Sequence, residues 1–245
     1  MATDVDEIII ASMTGDSARV AALLDKDPAL INAMTMLGAT PIHAAHYSGW
    51  DDVVALLLSH GRALDVYLAA ELGLVDTLQA MLDDDPALTM AVSASGSTPL
   101  HGACYWGAGD AARLLLERGA DPDLATTDSF LQIRALGCAV ASPGVPNPSE
   151  DEAAVLELVD LLLDHGADPN GRRRDGMTAI HTAAYRGHLK VIQRLVERGA
   201  DPAIRAHSDG GHHAGESPAD TAVKQGQAEA ADLLQRLADA VARTS

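Results

Sequence analysis

The chain has 245 residues, of which 47% are apolar, and a formal charge of −18. A surface of that sign repels phosphate backbones and argues against nucleic-acid binding, and no apolar run is long enough to span a bilayer. Aromatics are only 3% of the chain, so its core must be filled by small and aliphatic side chains on helices. The start, Met1-Ala2-Thr3-Asp4-Val5-Asp6-Glu7, is acidic and lacks the basic region of a signal peptide, which predicts a cytoplasmic protein.

The chain repeats itself. Ala11, Gly15, Pro28, Gly38, Thr40, Pro41, His43 and Gly61 recur 58 places on as Ala69, Gly73, Pro86, Gly96, Thr98, Pro99, His101 and Gly119. Glycines that end short helices subdivide this unit, at Gly15, Gly49, Gly73 and Gly107.

In chain order, the first unit, around Ile8 to Leu24, reads as an N-terminal cap. In the second, Thr40-Pro41-Ile42-His43-Ala44-Ala45 places a capping hydroxyl before a proline at the first helical position. Val53 to Leu58 supplies a second helix, stopped by Gly61. The third keeps only Leu68-Ala69-Ala70-Glu71-Leu72-Gly73, and its 24-residue spacing from Gly49 predicts a lost finger. The fourth repeats the full design, with Thr98-Pro99-Leu100-His101 and then Arg113 to Gly119. The fifth, Arg134-Ala135-Leu136-Gly137-Cys138-Ala139, departs from the pattern and carries an insertion at 142–152, expected to be a proline-broken acidic loop. In the sixth, Thr178-Ala179-Ile180-His181 precedes Val191 to Val196. A glycine- and histidine-rich insertion at 206–215 leads to the last unit, Ser217-Pro218-Ala219-Asp220, which lacks the histidine and reads as a C-terminal cap. Each helix pair has an apolar face too small to fold alone, so neighbours must stack.

Thr-Pro-Ile/Leu-His, paired small residues, a helix-ending glycine, a Leu-rich helix and Gly-Ala-Asp-Pro together resemble the ankyrin repeat over residues 5–240. The chain is identified as a member of that family, of bacterial type with about seven repeats. The resemblance implies an all-α solenoid of stacked helix-turn-helix units with short β-hairpin fingers. It implies one domain over 1–245, with repeats near 1–34, 35–63, 64–92, 93–125, 126–171, 172–204 and 205–245. It also implies a monomer that binds an unidentified protein partner through a concave groove and its fingers, and rings at His43, His101 and His181 that hydrogen-bond backbone around the neighbouring turn.

The chain has seven aromatics, four of which fall in slots the repeat leaves free, just before the helix-ending glycine. Those slots hold Tyr47-Ser48, Glu71-Leu72, Tyr105-Trp106, Tyr185-Arg186 and Lys224-Gln225. Tyr, Trp and Arg dominate binding hot spots. The candidate groove residues are therefore His46, Tyr47, Tyr105, Trp106, Tyr185 and Arg186. Candidate finger contacts are Met36, Leu37, Phe130, Arg172, Arg173 and Arg174, with Ser95 and Met177 secondary. The arginine run suits either a solvated turn or an anion-binding finger beside Tyr185 and Arg186. An anionic or aromatic small molecule in the same groove is the alternative to a protein partner. His207, His212 and His213 lack a cysteine nearby and read as a solvated loop, while Cys104 and Cys138 read as core. No catalytic motif, metal site or cofactor is expected.

Overall fold

A computed structural model describes residues 3–35, 39–127, 131–142, 148–207 and 211–244. Met36, Leu37, Phe130 and insertion residues 143–147 and 208–210 lie outside the described residues. Two compact units divide the chain, Met1–Asp65 and Val66–Ser245.

In the first unit, helices α1 (Asp4–Thr14) and α2 (Ser17–Lys26) lead through a short 3-10 turn, Pro28–Asn32, to α3 (Pro41–Tyr47) and α4 (Asp51–Ser59). Helix α1 packs on α3, and α2 on α4. Gly15, which ends α1 at φ 73°, leaves room for the ring of Trp50, whose Nε1 donates to the Met13 carbonyl at 2.9 Å.

Among the described residues the second unit holds five more pairs. They are α5 (Val66–Glu71) with α6 (Val75–Asp84), α7 (Pro99–Tyr105) with α8 (Gly109–Glu117), α9 (Ala135–Ala141) with α10 (Pro148–Asp164), α11 (Ala179–Arg186) with α12 (Leu189–Glu197), and α13 (Pro218–Lys224) with α14 (Ala228–Thr244). First helices touch in the order α5, α7, α9, α11, α13, and second helices follow as α6, α8, α10, α12, α14. Small residues let the first row approach closely: Ala69, Ala70, Ala103, Cys104, Ala139, Ala183 and Ala184 are all buried. Larger side chains of the second row, including Leu78, Leu115, Leu162 and Ile192, fill the space behind them. Each full burial contributes about 2 kcal/mol.

The helix starts are capped as the sequence predicts, and the histidine has a second task. In α7 the Thr98 backbone N–H donates to His101 Nδ1 at 3.2 Å, and the Thr98 hydroxyl lies 2.7 Å from the same nitrogen. That leaves the neutral ring's proton on Nε2, which lies 3.1 Å from the Ile133 carbonyl in the next repeat. His181 does the same, reaching the Glu216 carbonyl at 3.2 Å. In the two terminal repeats an aspartate replaces the histidine: Asp6 pairs with Thr3, and Asp220 with Ser217. An aspartate completes the local cap but has no N–H to give onward. The fifth repeat has neither residue, and Arg134 bridges instead, donating from Nε to the Asp123 carbonyl at 3.0 Å and from a terminal nitrogen to that of Arg172.

The fingers contain no strand among the described residues. They are hairpin turns, closed by backbone bonds such as Ser93 N–H to Ser97 O at 2.9 Å and Arg173 N–H to Met177 O at 2.8 Å. Backbone bonds link one finger to the next: Thr127 N–H to Gly96 O, Arg174 N–H to Leu131 O, and His207 N–H to Asp175 O, at 2.8–3.0 Å. Isolated backbone bonds of this kind tether the fingers without building a continuous ladder among the described residues.

The 142–152 insertion differs from the expected loop. From Pro148 onward it is helical and extends α10 to 17 residues, against 9 in α8 and α12. Its Glu152 accepts the N–H of Lys190 at 2.6 Å, satisfying one of the orphan donors at the start of α12. That helix lacks a side-chain cap of its own. Of the 206–215 insertion, Gly211–His213 forms a single 3-10 turn.

Candidate functional site

The free slots of the repeat are set by the helix C-terminus. A glycine in the left-handed region follows the first helices other than α9, as Gly187 does at φ 73° after α11. The residue two places earlier then points away from the buried small pair. In the first unit this places Tyr47 at 49% exposure, with His46 half-buried and its ring edge-on to Tyr47 at 5.2 Å. In the second unit Tyr185 is 50% exposed, while Tyr105 and Trp106 are half-buried and packed edge-on at 5.4 Å. Burial, and then the neighbouring Cys138, raise the Tyr105 phenol above its ordinary pKa, while the Arg186 charge acts in the opposite direction.

Not every slot is free. Leu72 is buried, and the Glu71 side chain lies over Gly102, where a Cβ would come within 2.7 Å of Glu71 Cγ. The third repeat has lost its finger and gives these positions a packing duty. Met177 is also buried, which corrects its reading as a finger contact, whereas Ser95 is exposed.

The arginine run divides into three roles. Arg172 donates to the carbonyls of Gly176 and Arg205, both at 2.8 Å, and so ties its finger to the next. Arg173 pairs with Asp175 at 2.5 Å and lies largely buried. Arg174 is exposed, and its backbone N–H joins the finger stack.

Arg173 and Tyr185-Arg186 meet in one place. A cleft of about 290 Å³ is lined by Ala141, Arg173, Met177, Thr182, Tyr185, Arg186 and His213. Arg186 Nε lies 3.1 Å from His188 Nε2, so the guanidinium is oriented at the rim. His213 stands beside the buried Glu216 at 3.3 Å, and Glu216 also pairs with Lys224. Burial alone would raise the Glu216 pKa, but the hydrogen bonds from Lys224 and His213 outweigh it and hold the carboxyl below its usual value.

Sequence reasoning missed Glu216, because a lone glutamate before a helix carries no motif. It also passed over Met13, 52% exposed, two places before Gly15 as Tyr47 is before Gly49. Aligning the first repeat on its glycine reveals it. Cys104 and Cys138 are both buried, and neither forms a disulfide. His207 packs over Gly176, and among the described residues no group of three or more His, Cys, Asp or Glu is arranged to hold a metal ion. No described helix is long and apolar enough to cross a membrane.

Stacked two-layer helix pairs with tethered fingers define a repeat protein. The family described as Ankyrin repeats (3 copies) matches residues 8–126, and Ankyrin repeats (many copies) matches 152–196 and 181–235. The chain belongs to the ankyrin-repeat family. It is similar to the B-cell lymphoma 3 protein homolog of Mus musculus, 33% identical over 85% of this chain and 48% of that one. The human B-cell lymphoma 3 protein is 32% identical over 71% of this chain and 38% of its own. The probable E3 ubiquitin-protein ligase XBOS33 of Oryza sativa subsp. japonica is 28% identical over 80% of this chain and 38% of its own. The chain spans about half the length of these relatives, or less. They come from animals and a plant and lend no support to a bacterial-type repeat.

Proposed function

We propose that this chain is a protein-interaction module, and that in the Val66–Ser245 unit it grips a partner through Tyr105, Trp106, Tyr185 and Arg186. The observation that carries this reading is the half-exposed Tyr185, held with Arg186 at a position from which the fold asks no packing. Rings of this kind expose large contact area at small entropic cost. The first unit offers a similar surface, where Tyr47 and Met13 are each about half exposed. His46 and, at the fingers, Arg174 belong to the same reading as edge contacts, as do Met36, Leu37 and Phe130 by their sequence positions. The charge of −18 favours partners other than nucleic acids. A monomer is part of the same reading, and two thiols without a disulfide suit the cytoplasm.

The test is affinity capture from source cells with the native chain beside a Tyr105→Ala/Tyr185→Ala variant. Proteins held by the native chain should be retained at least about tenfold less by the variant, since each hot-spot truncation costs about 1–2 kcal/mol. Equal retention would sink the assignment of the binding face. Matching melting curves for the two chains exclude unfolding as the cause.

A further inference from the structure

We propose that Asn170-Gly171 is a modification site, where Asn170 loses its side-chain amide as ammonia, with water as the co-reactant, when the fold releases it. This goes beyond the protein-interaction reading and does not depend on it.

The chemistry follows from the pair of residues. The peptide nitrogen of Gly171 attacks Cγ of Asn170, the new N–Cγ bond closes a five-membered imide, and the Cγ–Nδ2 bond breaks. The proton of the attacking nitrogen leaves with the amide as ammonia. Water then opens the imide at one of its two carbonyls, giving aspartate or an isoaspartate whose main chain runs through Cβ. Nothing is oxidised or reduced. A following glycine favours closure, because it has no Cβ to crowd the nitrogen and its backbone turns freely. The chain has three asparagines, and Asn170 alone precedes glycine. Asn32 precedes alanine, and Asn147 precedes proline, which has no N–H.

The fold holds the reacting groups. Asn170 is half-buried in the turn after α10. Its Nδ2 donates to the Gly199 carbonyl at 2.9 Å and its Oδ1 accepts the Asp201 N–H at 2.8 Å, both in the turn after α12. The Gly171 N–H, whose proton must leave, donates to the Asp168 carbonyl at 3.0 Å. Closure of the imide removes these bonds, so the reaction waits for the two turns to part.

The product restores only part of the link. An aspartate occupies the same place one copy earlier, at Asp123 of Gly119-Ala120-Asp121-Pro122-Asp123, and its carboxylate accepts the Asp168 N–H at 3.0 Å. A carboxylate at position 170 keeps that half of the link, loses the donor, and sets its charge against the Gly199 carbonyl. An isoaspartate also adds a methylene to the main chain just before Arg172, which ties its finger to the carbonyls of Gly176 and Arg205. Opening of the two turns is thereby recorded as a covalent mark that weakens reclosure.

Mass-spectrometric peptide mapping of the whole chain tests the site, after incubation at mildly alkaline pH with and without denaturing guanidinium chloride. In denaturant, Asn170 should convert to the acid at least about tenfold faster than in the native chain, and faster than Asn32. Gly171→Ala in denaturant should slow conversion at Asn170 to about the rate at Asn32. Asn170→Asp, expressed directly and so free of any refolding step, should unfold at a lower denaturant midpoint than the native chain. Conversion in denaturant no faster than at Asn32, or equal rates with and without denaturant, overturns the proposal. So does an Asn170→Asp chain whose midpoint equals or exceeds the native one. Loss of a protein partner in the capture experiment leaves these outcomes unchanged, so the two readings fail separately.

Discussion

Replacing His181 by alanine is expected to cost the Val66–Ser245 unit about 4 kcal/mol, the sum of lost hydrogen bonds and a cavity. The ring is fully buried. Its Nδ1 serves the backbone N–H and hydroxyl of Thr178, at 3.2 and 3.1 Å, and its Nε2 the carbonyl of Glu216 at 3.2 Å. Alanine leaves the Thr178 N–H and hydroxyl buried and unsatisfied and takes one of two donors from the Glu216 carbonyl, which also accepts from the Ala206 N–H at 2.9 Å, at the joint between the sixth and seventh repeats. A shift in the urea midpoint of the last transition measures the loss, and amide exchange at Thr178 and Ala206 localises it.

The same residue makes stability depend on pH. Burial, with a smaller contribution from Arg172 and Arg173, pushes the folded-state pKa of His181 down to about 4, against the opposing Glu216 carbonyl and Asp175. An unfolded histidine titrates near about 6.5. The unfolded chain therefore takes up the proton first, and stability falls as pH drops from about 6.5 towards 4, by up to about 3 kcal/mol. Above about 6.5 the contribution is complete. Asp175, Glu216 and Asp220, whose folded pKa values are lowered, add their own losses as pH falls through the usual carboxylate range and below it. The His181→Ala chain should be less stable throughout and should lack the decline between pH 6.5 and 4. An unchanged slope in that window would remove His181 as its source.

Gly176→Ala is the second large effect. Gly176 sits at φ 82° in the sixth finger, and a Cβ there would lie 2.3 Å from the His207 backbone nitrogen and 2.5 Å from its ring. Left-handed backbone costs an alanine about 1–2 kcal/mol on its own. Here the collision is with main chain, and that main chain donates the bond from His207 to Asp175 that links the last two fingers. A total of about 3 kcal/mol or more is expected. Gly119 is the control, since it has φ 89° with nothing within 4 Å of the added carbon. Gly119→Ala should pay the backbone term alone, about 1–2 kcal/mol. Equal losses at the two sites, measured by denaturation, would show that the finger contact contributes nothing.

How much was legible from residues alone depended on the range of the interaction. Capping hydroxyls, N1 prolines and helix-ending glycines act within one turn, so Thr98-Pro99-Leu100-His101 and Gly107 announce α7 and its end wherever that segment lies. The exposed slots followed from the same register, and Tyr47 and Tyr185 are exposed as it predicts. Leu72 and Met177 occupy equally plausible positions by spacing, but neighbouring segments bury them.

By itself, the sequence determined the helix pairs, their order and the family, because those depend on short periodic signals copied along the chain. Only the tertiary structure decided which charges meet. It committed Arg172 to backbone carbonyls, placed Arg173, Tyr185, Arg186 and His213 around one cleft, and set Glu216 against His181 and Lys224. Those contacts join residues from different repeats and from an insertion with no periodicity. Their energies depend on distance and burial, which no spacing along the chain encodes.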